Sequence, residues 1–137
     1  MKLTLKELTD KYKEFSSIVV KRLPAKISYA ISKNMIMLEK EVKLIDDNRI
    51  KLAQTYAEKN EDGTPKIVEN SFVISDIESF NRELMEYYKA ETDVEVCKVN
   101  PSELDKLDDP RYDALSPAEI KSLQFMFEEN KSNIIEK

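Results

Sequence analysis

Glu58, Asn60 and Asp62 occupy alternate positions before Gly63, the only glycine in the chain, and five residues then separate Gly63 from Glu69. Acidic and amide side chains at that spacing around a glycine match the oxygen-ligand pattern of a helix-borne calcium loop. Position by position the match fails. The first ligand is Glu58 where the tight corner of such a loop takes Asp. Pro65 stands where a donor residue should join a paired loop, and no helical pattern follows Glu69. The loop is also single, whereas such loops act in pairs. The stretch therefore reads as a turn in which Gly63 takes a positive φ, and no metal ligand is assigned.

Other chemistry is sparse. There is no histidine, so nucleophile–histidine arrangements and histidine metal sites are excluded. One cysteine, Cys97, rules out a C-x-x-C metal or redox site and an internal disulfide. A single glycine rules out phosphate-cradling loops, which need several for close backbone approach. Asp46/Asp47 and Asp108/Asp109 are adjacent carboxylates, but neighbours on a helix project about 100° apart and do not converge. Cys97 lies among valines and reads as a small buried hydrophobe. The expectation is a protein that is not an enzyme, with no catalytic residue and no cofactor.

The elements that position these residues are mostly helical. At 137 residues, 41% hydrophobic and 36% charged, the chain has material for one domain with a real core and a well-solvated surface. Thr4-Leu5-Lys6-Glu7 is a capping box, after which Leu5, Leu8, Tyr12, Phe15 and Val19 recur at helical steps until Pro24 stops the segment. Ile31, Met35, Leu38, Val42, Ile45, Arg49, Leu52 and Tyr56 then follow strict 4-3 spacing, the seam of a coiled coil. A helix over 26–59 would be about 50 Å long, against about 28 Å for the first. With a short connector at Pro24 the two should form an antiparallel hairpin. Its distal half, Val42 to Tyr56, must then be covered by the C-terminal half of the chain or by a second protomer.

Residues 66–74 read as a strand or a bent pair of strands. Ser75-Asp76-Ile77-Glu78 reads as a capping box opening a helix to about Ala90, and 93–99 as another strand. The two strands are expected to pair, by the usual crossover in parallel. Ser102 begins at most one helical turn. Ser116-Pro117-Ala118-Glu119 opens a last helix with Ile120, Leu123 and Phe127 inward and Asn130 as its stop; 131–137 reads as a frayed tail. The expected fold is α+β and mostly helical: a long antiparallel hairpin (1–59), then an acidic mixed half (60–130) with a small two- or three-stranded sheet and two further helices, all in one domain.

Charge is divided between these halves. Residues 1–59 carry 13 Lys+Arg and 8 Asp+Glu, a net +5, whereas 60–137 carry 9 and 19, a net −10. The halves either face each other within the fold or offer two differently charged surfaces. Lys21, Arg22, Lys26 and Lys33, with Tyr29 among them, gather at the hairpin tip. A solvated tip is the plain reading; an acidic chain with four arginines makes a nucleic-acid partner unlikely. Arg49 interrupts the seam and either snorkels to solvent or pairs with an acid of the C-terminal half. Together with Leu52 and Tyr56, these five residues form the candidate interaction surface. No signal-peptide pattern and no run approaching the roughly 20 apolar residues of a membrane span is present, so a cytoplasmic protein is expected.

The tip Leu23-Pro24-Ala25-Lys26, a long charged helix ending at Tyr56 and the acidic turn at Asp62-Gly63 resemble a family of small proteins encoded by bacteriophages and prophages of Gram-positive bacteria. The family is of unknown function, and the resemblance spans about residues 20–99. It implies no catalytic residue or cofactor; it implies a phage product acting through contacts with another protein or a second protomer, as an accessory or assembly factor or a virion component. An inhibitor whose acidic half occupies a host nuclease, and a small-ligand module with a pocket between hairpin and sheet, are the alternatives.

Overall fold

A computed structural model describes residues 1–129. After a short strand β1 (Lys2–Thr4), the expected capping box forms: Thr4 Oγ1 accepts from the Glu7 amide at 3.0 Å, and Glu7 accepts from the Thr4 amide at 2.9 Å. Helix α1 (Leu5–Ile18) then buries Leu8, Phe15 and Ile18. It stops earlier than Pro24 suggested. The Lys21 amide turns back onto the Ile18 carbonyl, Val19 is exposed, and the connector runs from 19 to 24. At its 14 residues, α1 is about 21 Å long.

Helix α2 (Ala25–Tyr56) is the spine of the molecule, and α1 packs antiparallel along its first half. Ile27, Ile31 and Leu38 are buried there, and Val42 and Ile45 just beyond it. Beyond the reach of α1, Leu52 and Tyr56 are covered by helix α3 (Ile77–Lys89), and Arg49 is half-buried. The C-terminal half of the same chain thus covers the distal seam.

The sheets follow the expectation for 66–74, read as a strand or a bent pair, but not for the second strand. Residues 66–74 form a bent pair, β2 (Ile67–Val68) and β3 (Ser71–Phe72), joined antiparallel through Glu69 and Asn70 at φ +52° and +65°. Two successive positive φ values twist a two-residue turn to match the strands, so the pair closes on itself. The second strand is β4 (Glu91–Asp93), and it pairs antiparallel with β1, not in parallel with 66–74. Strand β1 lies directly before the Thr4 cap, where its side of the sheet is delivered by α1 itself. The cap of α3 also shifts: Asp76 accepts from the Ser79 amide, in place of the box at Ser75.

Residues 94–100 continue as extended chain across α2, burying Val94 and Val99. A 3₁₀ helix (Pro101–Asp108) follows, longer than the single turn expected. Helix α4 (Pro117–Leu123), capped by Ser116 and Glu119 as anticipated, runs into a 3₁₀ turn (Gln124–Met126). Phe127 accordingly leaves the helix and bridges in parallel to Val99, while Met126 enters the core. The proposed stop at Asn130 and the tail 131–137 lie outside the described residues. The architecture is α+β and mostly helical, a long helix pair with two small antiparallel sheets. One core joins β1, α1, the first half of α2, Val94, Val99 and α4. Among the described residues, no helix is long and apolar enough to cross a membrane.

Candidate interaction surfaces

The seven residues singled out from sequence do not form one surface. From Lys26 to Tyr56 the helix rises about 45 Å, and three separate settings result.

At the tip, Lys21 and Arg22 are engaged within the chain. The Lys21 ammonium meets Glu119 at 2.8 Å and donates to the Ala114 carbonyl at 2.9 Å. The Arg22 amide donates to Asp113 at 2.7 Å, and its guanidinium lies 3.5 Å from the same carboxylate. Hydrogen bonding to Lys21 pulls the Glu119 carboxyl below its usual range, and the Arg22 amide does the same for Asp113. The tip is therefore where the basic half docks on the acidic half, not a free cationic patch. Lys26 and Lys33, by contrast, stand exposed on the outer face of α2.

At the distal end, Arg49 pairs with Asp46 of its own helix at 3.5 Å, with both side chains over 40% exposed. It snorkels out of the seam, and among the described residues no acid of the C-terminal half meets it. Tyr56 packs edge-on against Phe80, ring centroids 5.8 Å apart, and its hydroxyl reaches Glu83 at 3.4 Å. Desolvation, reinforced by Glu83, pushes the Tyr56 phenol up. Tyr87 donates to the Ile45 carbonyl at 2.8 Å. Leu52, Tyr87 and Glu83 help line an open groove of about 530 Å³ between α2 and α3.

The lobe beyond this groove is unusual in its burial. From residue 58 to residue 93 no side chain is buried. Helix α3 carries Ile77, Phe80, Leu84 and Tyr87 on one face, yet none is fully covered. Ile67, Val68, Ile77 and Met85 are 57%, 52%, 49% and 61% exposed. Backbone hydrogen bonds tie three of its short segments together: Glu58 donates to Val73, Lys66 to Glu58, and Val73 to Lys66.

The loop at Gly63 lies in this lobe. Gly63 has φ +86°, and the Asp62 carboxylate accepts from both the amide and hydroxyl of Thr64, at 3.0 and 2.6 Å. Those bonds lower its affinity for a proton and commit its oxygen to the turn. Glu69 stands in the next turn, and among the described residues no cluster of three carboxylate or cysteine side chains is placed for a metal ion.

Sequence reasoning missed Asn34. It is 1% exposed on the apolar face of α2, with its amide bonded to the backbone of Cys97. A polar side chain between Ile31 and Leu38, facing the core, was the available signal. Cys97 itself is half-buried.

No family model, curated protein or solved structure matches the chain.

Proposed function

We propose that this is a non-enzymatic protein-interaction protein that holds a partner through its distal lobe, the β2–β3 ribbon and α3. The observation that carries this reading is the unburied run from 58 to 93, which nonetheless holds Ile67, Val68, Phe72, Ile77, Phe80 and Met85. Apolar side chains left exposed in number on one lobe favour a site of association. Helix α3 reaches α2 through Phe80 and Tyr87 yet has no buried residue, which leaves its exposed apolar side chains, Ile77 and Met85, open to a partner. The resemblance of residues 20–99 supplies the setting: a phage or prophage accessory or assembly factor, working in the host cytoplasm.

A photo-crosslinking residue at Val68 or Met85 tests the reading, in cells that also express the neighbouring phage genes. Val20, 79% exposed in the α1–α2 connector, is the control position. Discrete crosslinked partners at Val68 and Met85 but not at Val20 are expected. Virion proteins among them support assembly, and a host nuclease component supports inhibition instead. Identical patterns at all three positions would remove the lobe from consideration.

A further inference from the structure

Helix α2 carries a second row of side chains, on the side away from its buried seam. Lys26, Tyr29, Lys33, Ile36, Lys40, Leu44, Asp47 and Lys51 follow steps of three and four, and all are exposed. The row is about 37 Å long at the helical rise. Its apolar members are not incidental edges of the core: Tyr29, Ile36 and Leu44 are 64%, 58% and 59% exposed. On a merely solvated helix, lysines are usually matched by carboxylates one turn away. Here Lys43–Asp47 is such a pair, but among the described residues Lys26, Lys33, Lys40 and Lys51 make no ion pair. The only aromatic neighbour is Tyr29, with the Lys33 ammonium 6.0 Å from its ring centroid.

Alternating lysine and apolar side chains along one helix face define a partner's chemistry. The apolar residues ask for a facing apolar stripe at the same period, and the lysines ask for carboxylates beside it. We propose that the outer face of α2 docks an acidic amphipathic helix, its apolar stripe over Tyr29, Ile36 and Leu44 and its carboxylates against Lys26, Lys33, Lys40 and Lys51. The face belongs to a helix held along its opposite side by α1 and α3. Beside it lies a groove of about 350 Å³ lined by Lys33, Ile36, Met37 and Lys40 together with Glu41, Glu95, Val96 and Cys97; its two carboxylates leave the Lys33–Lys40 side as the one that would face the incoming helix. Nucleic-acid backbone fits less well. The row has no arginine fork, and isoleucine and leucine between the lysines gain nothing from phosphates. The inference stands apart from the distal lobe and does not depend on it.

The test is a surface-display library of helical peptides of about 25 residues, with apolar side chains held at heptad positions and all flanking positions randomised, panned against the intact protein. Enrichment of Glu and Asp at the flanking positions is expected. Selected peptides should lose at least about tenfold in affinity, roughly 1.4 kcal/mol, for the Lys33→Glu/Lys40→Glu protein and for Ile36→Ser, while Val20→Ser leaves binding unchanged. Circular dichroism of each variant confirms that it folds. Neutral or basic enrichment, or binding indifferent to these substitutions, overturns the proposal. So does sedimentation showing that the protein alone self-associates through this face, abolished by Ile36→Ser, or tight salt-sensitive binding of a DNA or RNA probe that Lys33→Glu/Lys40→Glu removes.

Discussion

The side-chain amide of Asn34 holds the backbone of Cys97 at both ends: Cys97 N–H donates to Asn34 Oδ1 at 2.7 Å, and Asn34 Nδ2 donates to the Cys97 carbonyl at 3.0 Å. A strand neighbour would satisfy the same two groups, but the backbone pairing of this segment lies to either side of Cys97, at Val94 with Met1 and at Val99 with Met126 and Glu128. One side chain from α2 replaces that partner and anchors the crossing segment whose Val94 and Val99 join the core.

Replacing Asn34 by Leu should therefore cost about 2–4 kcal/mol, because it leaves an amide and a carbonyl unpaired while preserving volume. Replacing Cys97 by Ala keeps both bonds, since they involve only its backbone, and should cost about 1 kcal/mol or less. Urea unfolding of both variants checks the contrast. Equal losses would mean that the Cys97 side chain, not its backbone, is what matters at the crossing.

The docking of the tip on the acidic half predicts acid sensitivity. Glu119 and Asp113 are held below their ordinary values of 4.5 and 3.8 by Lys21 and Arg22, and Asp109 is lowered to about 2 by Arg111. A carboxyl with a depressed folded-state pKa contributes stability that is fully present above the unfolded value and is lost as pH falls through the folded one. Stability should thus be level near neutrality and decline from about pH 4.5 downward, the decline continuing toward pH 2. Denaturant midpoints across that range measure it. Lys21→Met should make the upper part of the decline shallower, since Glu119 then titrates in the fold more nearly as it does unfolded. An unchanged profile would show that the pair contributes nothing.

The helices were legible because each carried both a period and a boundary signal: Thr4 with Glu7 for α1, Ser116 with Pro117 and Glu119 for α4. The sheets were not, because pairing depends on where helices deliver chain ends. Strand β1 has three residues, too few for alternation to show, and it meets β4 only because α1 carries it there. The ribbon turn at Glu69-Asn70 lacks the glycine that normally announces positive φ, so the sequence left a single strand and a bent pair as equal readings. Of the candidate surface, Leu52 and Tyr56 were placed correctly on a seam needing cover. Lys21 and Arg22 were read as a solvated tip because their partners, Glu119 and Asp113, lie over 90 residues away.

Arg49 offers a direct check on the seam. Among the described residues its ionic partner is Asp46 on the same helix, at 3.5 Å and partly exposed, and such pairs are worth about 0–1 kcal/mol. Arg49→Leu removes that small contribution and completes the apolar row from Ile45 to Leu52 beneath α3. Stability should change by about 0.5 kcal/mol or less, or rise, as read from the thermal midpoint. A fall above about 1 kcal/mol would point to an obligatory contact of the guanidinium with α3.

Gly63 closes the loop that carries the calcium-like pattern, and conformation alone accounts for it. A Cβ placed there meets nothing within 4 Å, so space does not require glycine; φ +86° does. Gly63→Ala should cost about 1–2 kcal/mol, the penalty of a left-handed backbone for an L side chain. Gly63→Asn, whose short polar side chain tolerates that region, should cost less. The same loop should not respond to calcium, because Asp62 is already bonded twice to Thr64 and Glu69 belongs to the following turn. Isothermal titration at millimolar calcium, with thermal melts of all three proteins, separates the explanations. A midpoint raised by calcium in the parent protein and abolished by Asp62→Asn would return the loop to metal chemistry.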